Sequence, residues 1–78
     1  MPKLPVVSSD QVKKVLKNAG FQYAPKRGKG SHTAFVKKDK DKTRLVIIPE
    51  RKNIPRGTLL SILDQSGLSK EDFLKFLR

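Results

Sequence analysis

The sequence contains no cysteine and a single histidine, and these shortages exclude several kinds of site. Without cysteine the chain can form neither a disulfide nor a cysteine-ligated zinc site, and it has no thiol nucleophile. One histidine argues against an ordinary transition-metal site. The phosphate-binding and dinucleotide-binding glycine motifs are missing as well. We therefore expect no metal and no cofactor.

Long hydrophobic runs are also lacking. The longest runs are Leu45–Ile48 and the pair Leu59–Leu60, whereas about 20 apolar residues are needed to cross a bilayer. The chain does not open with the charged and apolar segments of a secretory signal. We expect a cytoplasmic protein without a membrane partner, and the length of 78 residues predicts one domain over 1–78.

Acidic residues are scarce: 7 stand against 18 basic ones, for a net charge of +11. Residues 1–56 hold 15 basic and 4 acidic side chains, so this part carries the whole excess. So much charge on a small domain favours a polyanionic partner, with nucleic acid first. A merely solvated surface is the alternative. A membrane surface is disfavoured, because the basic residues are not gathered on one amphipathic helix.

Local patterns predict helices and strands in a definite order. Ser8 and Gln11 form a capping box before a helix over about 9–19, which Gly20 ends. Phe21, Gln22 and Tyr23 alternate between apolar and polar in a short first strand, and a second strand follows at about 32–38. A third strand at about 43–48 follows the turn at 39–42. Pro55 begins a second helix, and Ser69 caps a short third one.

This order predicts an α+β fold, in which a three-stranded antiparallel sheet carries its helices on one face. Phe35 is expected to face inward. Leu45–Ile48 is apolar at every position, so alternation does not say which side chains face the helices. If Leu45 and Ile47 face them, Val46 and Ile48 face outward, and we predict Val46 and Ile48 as candidates for a partner interface. Ordinary strand propensity is the alternative explanation.

His32 is the candidate for chemistry. It follows a basic, glycine-containing loop in which Lys26, Arg27 and Lys29 are predicted to bind phosphates and Gly28 and Gly30 allow backbone amides to approach them. An imidazole gains or loses a proton near neutral pH, as metal-free RNA cleavage requires. A surface histidine without a function is the alternative.

Three blocks of the sequence stand out by their order and spacing: Val15–Phe21, Gly30–Ser31–His32 with Phe35, and Ile54–Leu59. Together they resemble the HicA (YcfA-like) family of mRNA interferase toxins. The similarity runs from Leu4 to Phe73. Each block is modest alone, but their order and spacing are fairly specific.

The resemblance implies a double-stranded-RNA-binding-domain-like fold of order α-β-β-β-α and an endoribonuclease that cleaves mRNA. It also implies a HicB-type antitoxin protein that masks the site. Carried over by position, His32 is the catalytic residue, and Gly30 and Ser31 shape its loop. Many members of the family have a histidine soon after the proline that ends the third strand. Here Pro49 is followed by Glu50 and Arg51, so His32 has no histidine partner in the chain.

A non-catalytic RNA-binding module is the alternative function, because the implied fold commonly recognises A-form RNA by its shape.

Overall fold

The structure, a computed structural model, describes residues 4–25 and 32–77. Its elements are α1 (Ser9–Asn18), β1 (Gln22–Tyr23), β2 (His32–Lys38), β3 (Thr43–Pro49), α2 (Arg56–Ser66) and α3 (Lys70–Leu77). The three strands form one antiparallel sheet in the order β1-β2-β3. The predicted α+β class and the double-stranded-RNA-binding-domain-like order are confirmed, with α3 added at the end.

The boundaries of α1 follow from its caps. The Ser8 hydroxyl accepts a hydrogen bond from the Gln11 amide at 3.3 Å, and the Gln11 side chain accepts one from the Ser8 amide at 2.8 Å. The two bonds satisfy backbone donors that lack a partner inside the helix. Gly20 follows the C-cap with a φ of +96°, a conformation that glycine adopts without strain.

The other two helices begin and end close to the predicted places. Pro55 is the residue before α2 rather than its first helical residue, and Gly67 ends the helix with a φ of +74°. Ser69 caps α3 by accepting a hydrogen bond from the Asp72 amide at 3.0 Å. No helix in the described ranges is long and apolar enough to cross a membrane.

The register of β2 and β3 decides which side chains meet the helices. Phe35 stands opposite Val46, and Thr33 stands opposite Ile48. Cross-strand partners share a face of the sheet, and alternate residues point to the same side. Phe35, Val46 and Ile48 are buried in one core with side chains of all three helices. We call this side the inner face; Phe35 faces inward as predicted.

Within residues 4–25 and 32–77, the helices pack on the inner face and leave the opposite side of the sheet, the outer face, without a helix. It carries His32, Ala34 and Val36 from β2 and Leu45, Ile47 and Pro49 from β3. Ala34 is fully buried although it lies outside the main core. Leu45 is 37% exposed.

The edge of β3 is covered by α2. The amide of Ile47 donates a hydrogen bond to Oε1 of Gln65 at 3.2 Å, and Nε2 of Gln65 donates to the Ser61 hydroxyl at 3.1 Å. A side chain of α2 thus satisfies an edge donor that has no neighbouring strand.

Candidate functional site

His32 lies at the accessible end of the sheet. It is the first residue of β2, it is exposed, and it stands opposite Pro49 at the end of β3. Strand alternation places it on the outer face, since its neighbour Thr33 shares the inner face with Ile48. The imidazole is therefore open to a ligand that approaches from the side without helices.

The predicted phosphate-binding residues lie outside the described residues. This applies to the whole set: Lys26, Arg27, Lys29, Gly30 and Ser31. In the sequence this basic segment directly precedes His32.

On the other side of the same sheet end, Glu50 accepts hydrogen bonds from three side chains, two on α1 and one on β2. Its Oε1 accepts from the Thr33 hydroxyl at 2.6 Å and from Lys13 Nζ, and its Oε2 accepts from the Ser9 hydroxyl at 3.2 Å. We call Ser9, Lys13, Thr33 and Glu50 the Glu50 network. It joins α1, the start of β2 and the end of β3.

These donors stabilise the ionised form of Glu50. The hydrogen bond from Lys13, followed by the one from Thr33, holds the pKa of the Glu50 carboxyl below its ordinary value, although partial desolvation acts in the opposite direction. The positive charge of Lys13 and the Ser9 hydroxyl lower this pKa further. Glu50 is thus a carboxylate at neutral pH, and it already serves as acceptor for three donors.

The backbone beyond Pro49 is held by α1 as well. The Ser9 amide donates to the Arg51 carbonyl at 2.9 Å, and the Arg51 amide donates to the Ser9 hydroxyl at 3.1 Å. Further along, the Ile54 amide donates to the Val7 carbonyl at 2.8 Å. The segment that leaves β3 is therefore tied to the segment that enters α1.

The prediction that Val46 and Ile48 form a partner interface is wrong. Both side chains are completely buried in the core. The physical reason is the register: Val46 stands opposite the inward-facing Phe35, so Val46 and Ile48 face the helices. The outward side chains of β3 are Leu45 and Ile47, the reverse of the arrangement on which the predicted interface depended.

Two cations of the basic strand region have structural partners. Lys37 lies on the inner face, where its Nζ donates to the Ala19 carbonyl at 2.9 Å and stands 5.8 Å from the centre of the Phe21 ring. Arg44 pairs with Asp39 at 3.2 Å near the turn. Lys37 thus contacts the end of α1, and Arg44 contacts the turn at 39–42. Lys38, in contrast, is exposed on the outer face.

The Glu50 network was missed by the sequence analysis, although Glu50 was noticed as a departure from the resembled family. A possible signal was its position directly after the proline that ends β3. Among the described residues, histidine, aspartate and glutamate do not gather in groups of three that could hold a metal ion.

Comparison with known proteins adds one match. The sequence model of a family described as "HicA toxin of bacterial toxin-antitoxin" matches residues 9–68, which include His32 and the Glu50 network. A search of the curated proteins finds no match.

Proposed function

Because the chain belongs to the HicA toxin family of bacterial toxin–antitoxin systems, we propose that it is a metal-independent endoribonuclease that cleaves mRNA, with His32 as general acid/base. The toxin role, and with it an antitoxin partner, follows from the family. The observation that supports the proposed chemistry is the position of His32: an exposed imidazole at the end of a strand, directly after a basic segment.

The proposed reaction transfers a phosphodiester within the RNA. The 2′-hydroxyl loses its proton, its oxygen attacks the adjacent phosphorus, and the bond from phosphorus to the 5′-oxygen breaks. The leaving 5′-oxygen takes up a proton, so the number of protons is conserved. A positioned acid or base accelerates such a step by about 10²–10⁴-fold.

The reaction needs two proton transfers, and the chain has a single histidine to perform them. We assign one proton transfer to His32 and the other to Lys29, Arg27, a group of the substrate or water. Glu50 does not replace the second histidine in this scheme, because its carboxylate lies on the inner face and is occupied by donors from the Glu50 network. The two side chains project to opposite sides of the sheet.

Substrate binding rests on charge in this proposal. Lys26, Arg27 and Lys29 neutralise phosphates, and backbone amides near Gly30 and Ser31 approach the same groups. Phosphate contacts release counterions, so affinity for RNA falls steeply as salt is added. The substrate class places the protein in the cytoplasm, where mRNA is found.

The antitoxin in this proposal is a HicB-type protein that covers His32 with acidic side chains. His32 shares the outer face with Val36, Leu45 and Ile47, so a partner that covers the imidazole meets an apolar surface beside it. The outer face thus replaces Val46 and Ile48 as the proposed contact.

The first experiment compares His32→Ala with wild type in cleavage of a purified mRNA. We expect the variant to lose cleavage by at least about 10²-fold while its affinity for RNA stays close to that of wild type. Thr43→Ala is the matched control, because Thr43 is an exposed residue at the far end of the same hairpin. We expect EDTA to leave wild-type cleavage unchanged.

The outcomes separate the two candidate functions. Equal cleavage by His32→Ala and wild type would remove His32 from the chemistry, and inhibition by EDTA would overturn the metal-independent mechanism. Salt-sensitive RNA binding without cleavage by wild type would favour the non-catalytic RNA-binding module, which the fold also supports.

A further inference from the structure

We propose that Glu50 is a positioning residue that fixes the end of the β2–β3 ladder from which His32 projects; this inference rests on the proposed function. The carboxylate contacts Thr33, the neighbour of His32 in β2, and Glu50 itself is the neighbour of Pro49, the cross-strand partner of His32. Glu50 therefore connects β2 and β3 one residue away from His32 and its cross-strand partner Pro49.

The backbone gives little support at this end of the ladder. The Ile47 amide donates to Gln65 of α2, away from β2, so alternation directs the backbone groups of Ile48 towards β2 and those of Pro49 away from it. His32 and Pro49 therefore stand opposite each other without a backbone hydrogen bond between them, and proline is tolerated there because its nitrogen faces the edge. The side chain of Glu50 supplies a connection to β2 beyond the Thr33–Ile48 pair. A carboxylate that accepts from hydroxyl and ammonium donors forms stronger hydrogen bonds than neutral pairs do.

The connection extends to α1, which is itself packed in the core. Lys13 and Ser9 bring the first turns of the helix onto the carboxylate, and Ser9 also bonds to the Arg51 backbone. Val12 and Val15 of the same helix are fully buried. Glu50 thus connects the exposed end of β2 and β3 to a helix that is fixed in the core.

A direct catalytic role for Glu50 is inconsistent with this geometry. Both carboxylate oxygens serve donors of the protein, and the network lies on the inner face, while His32 lies on the outer face. The substrate bound at His32 is then separated from Glu50 by the sheet. In this proposal Glu50 determines the position and orientation of His32 on the outer face.

The test measures cleavage rates of Glu50→Ala and Glu50→Gln with purified RNA. We expect kcat to fall about tenfold or more in Glu50→Ala, because small displacements of a catalytic group are costly. KM should stay within about twofold of wild type, since Glu50 does not contact the RNA in this proposal. The kcat of Glu50→Gln should lie between those of wild type and Glu50→Ala, because the glutamine amide oxygen still accepts a hydrogen bond from Thr33.

The matched control is Asp39→Asn. Asp39 is a carboxylate of similar exposure that forms its ion pair with Arg44 at the opposite end of the same hairpin. We expect kcat of Asp39→Asn to stay close to wild type. If Glu50→Ala and Asp39→Asn have the same kcat, the positioning role is wrong.

A second measurement does not depend on activity. Amide hydrogen exchange at Thr33 and Ile48, the ladder pair next to His32 and Pro49, should accelerate in Glu50→Ala and remain unchanged in Asp39→Asn. Unchanged exchange in both variants would overturn the inference. If wild type cleaves no RNA, the proposed function fails, whereas the exchange experiment still decides whether Glu50 orders the strand end.

Thr33→Val covers the case in which Glu50→Ala does not stay folded. It removes the hydroxyl that donates to Glu50 and keeps the shape of the side chain, so we expect a smaller decrease in kcat in the same direction. In a double variant with Glu50→Gln, the losses should not add, because both substitutions weaken the same contact. Additive losses, or a Thr33→Val variant with wild-type kcat, would contradict the proposal.

Discussion

The inner and outer faces of the β2–β3 hairpin are chemically alike but differ in what covers them. Phe35, Val46 and Ile48 lie on the inner face and are completely or almost completely buried. Val36, Leu45 and Ile47 lie on the outer face, against which no helix of the described residues packs. Apolar character alone therefore does not identify the core side of this sheet.

The comparison also separates two kinds of polar group at one sheet end. Glu50 and Thr33 use the inner side to connect the strands to α1, whereas His32 is presented on the outer side. The Glu50 network and the proposed catalytic residue thus lie on opposite faces of one sheet. Glu50 can therefore be substituted without removing a direct contact to His32.

The largest expected effect comes from the two adjacent isoleucines of β3. Ile48→Ala should lower the free energy of unfolding by about 2–5 kcal/mol, because it leaves a cavity in the core. Ile47→Ala removes the same atoms from the outer face and should cost about 1 kcal/mol or less. Urea unfolding of both variants measures the difference; similar losses would mean that the two faces are covered alike.

An intermediate effect is expected for binding of the antitoxin. Replacing Leu45 and Ile47 together by threonine should weaken the complex about tenfold or more, because the apolar contact beside His32 is lost. The control is Leu60→Thr on α2, since Leu60 is 38% exposed and Leu45 is 37% exposed. Titration calorimetry with the antitoxin compares them. Unchanged affinity of the double variant would exclude the outer face as the contact.

The smallest effect concerns acid stability through Glu50. Its folded-state pKa is lowered, chiefly by Lys13 and then by Thr33, so its contribution to stability is present above the ordinary carboxyl value of 4.5. This contribution is lost as the pH falls through the lowered folded-state pKa. Wild type should therefore be slightly more stable than Glu50→Gln at pH 7 and should lose that advantage in acid. Thermal unfolding between pH 7 and pH 2 checks this, and a constant difference would contradict it.

Most of the fold was predictable because its signals are local. The capping box at Ser8, the glycines that end α1 and α2, and the Ser69 cap of α3 each act within a few residues. The side chains of β3 that face the helices could not be predicted, because Leu45–Ile48 is apolar at every position. The register shows them: Val46 stands opposite the inward-facing Phe35, so the arrangement that made Val46 and Ile48 candidates for an interface is wrong.

The candidate site was predictable only in part. His32 could be identified because it is the single histidine and follows a basic segment. The role of Glu50 could not be identified in this way, because Ser9 is 41 residues away in sequence and Thr33 is 17. Contacts between such distant residues depend on how the helix meets the sheet, which no local pattern specifies.

The amide of Gln65 has a consequence for association between chains. An unpaired strand edge is a template on which another polypeptide can add a strand, a route both to partner binding and to aggregation. In this protein Gln65 occupies the Ile47 donor at the β3 edge, and β1, at the opposite edge, is only two residues long. A partner is thereby directed to side chains on the sheet surface, and fibril-like stacking of toxin molecules is discouraged.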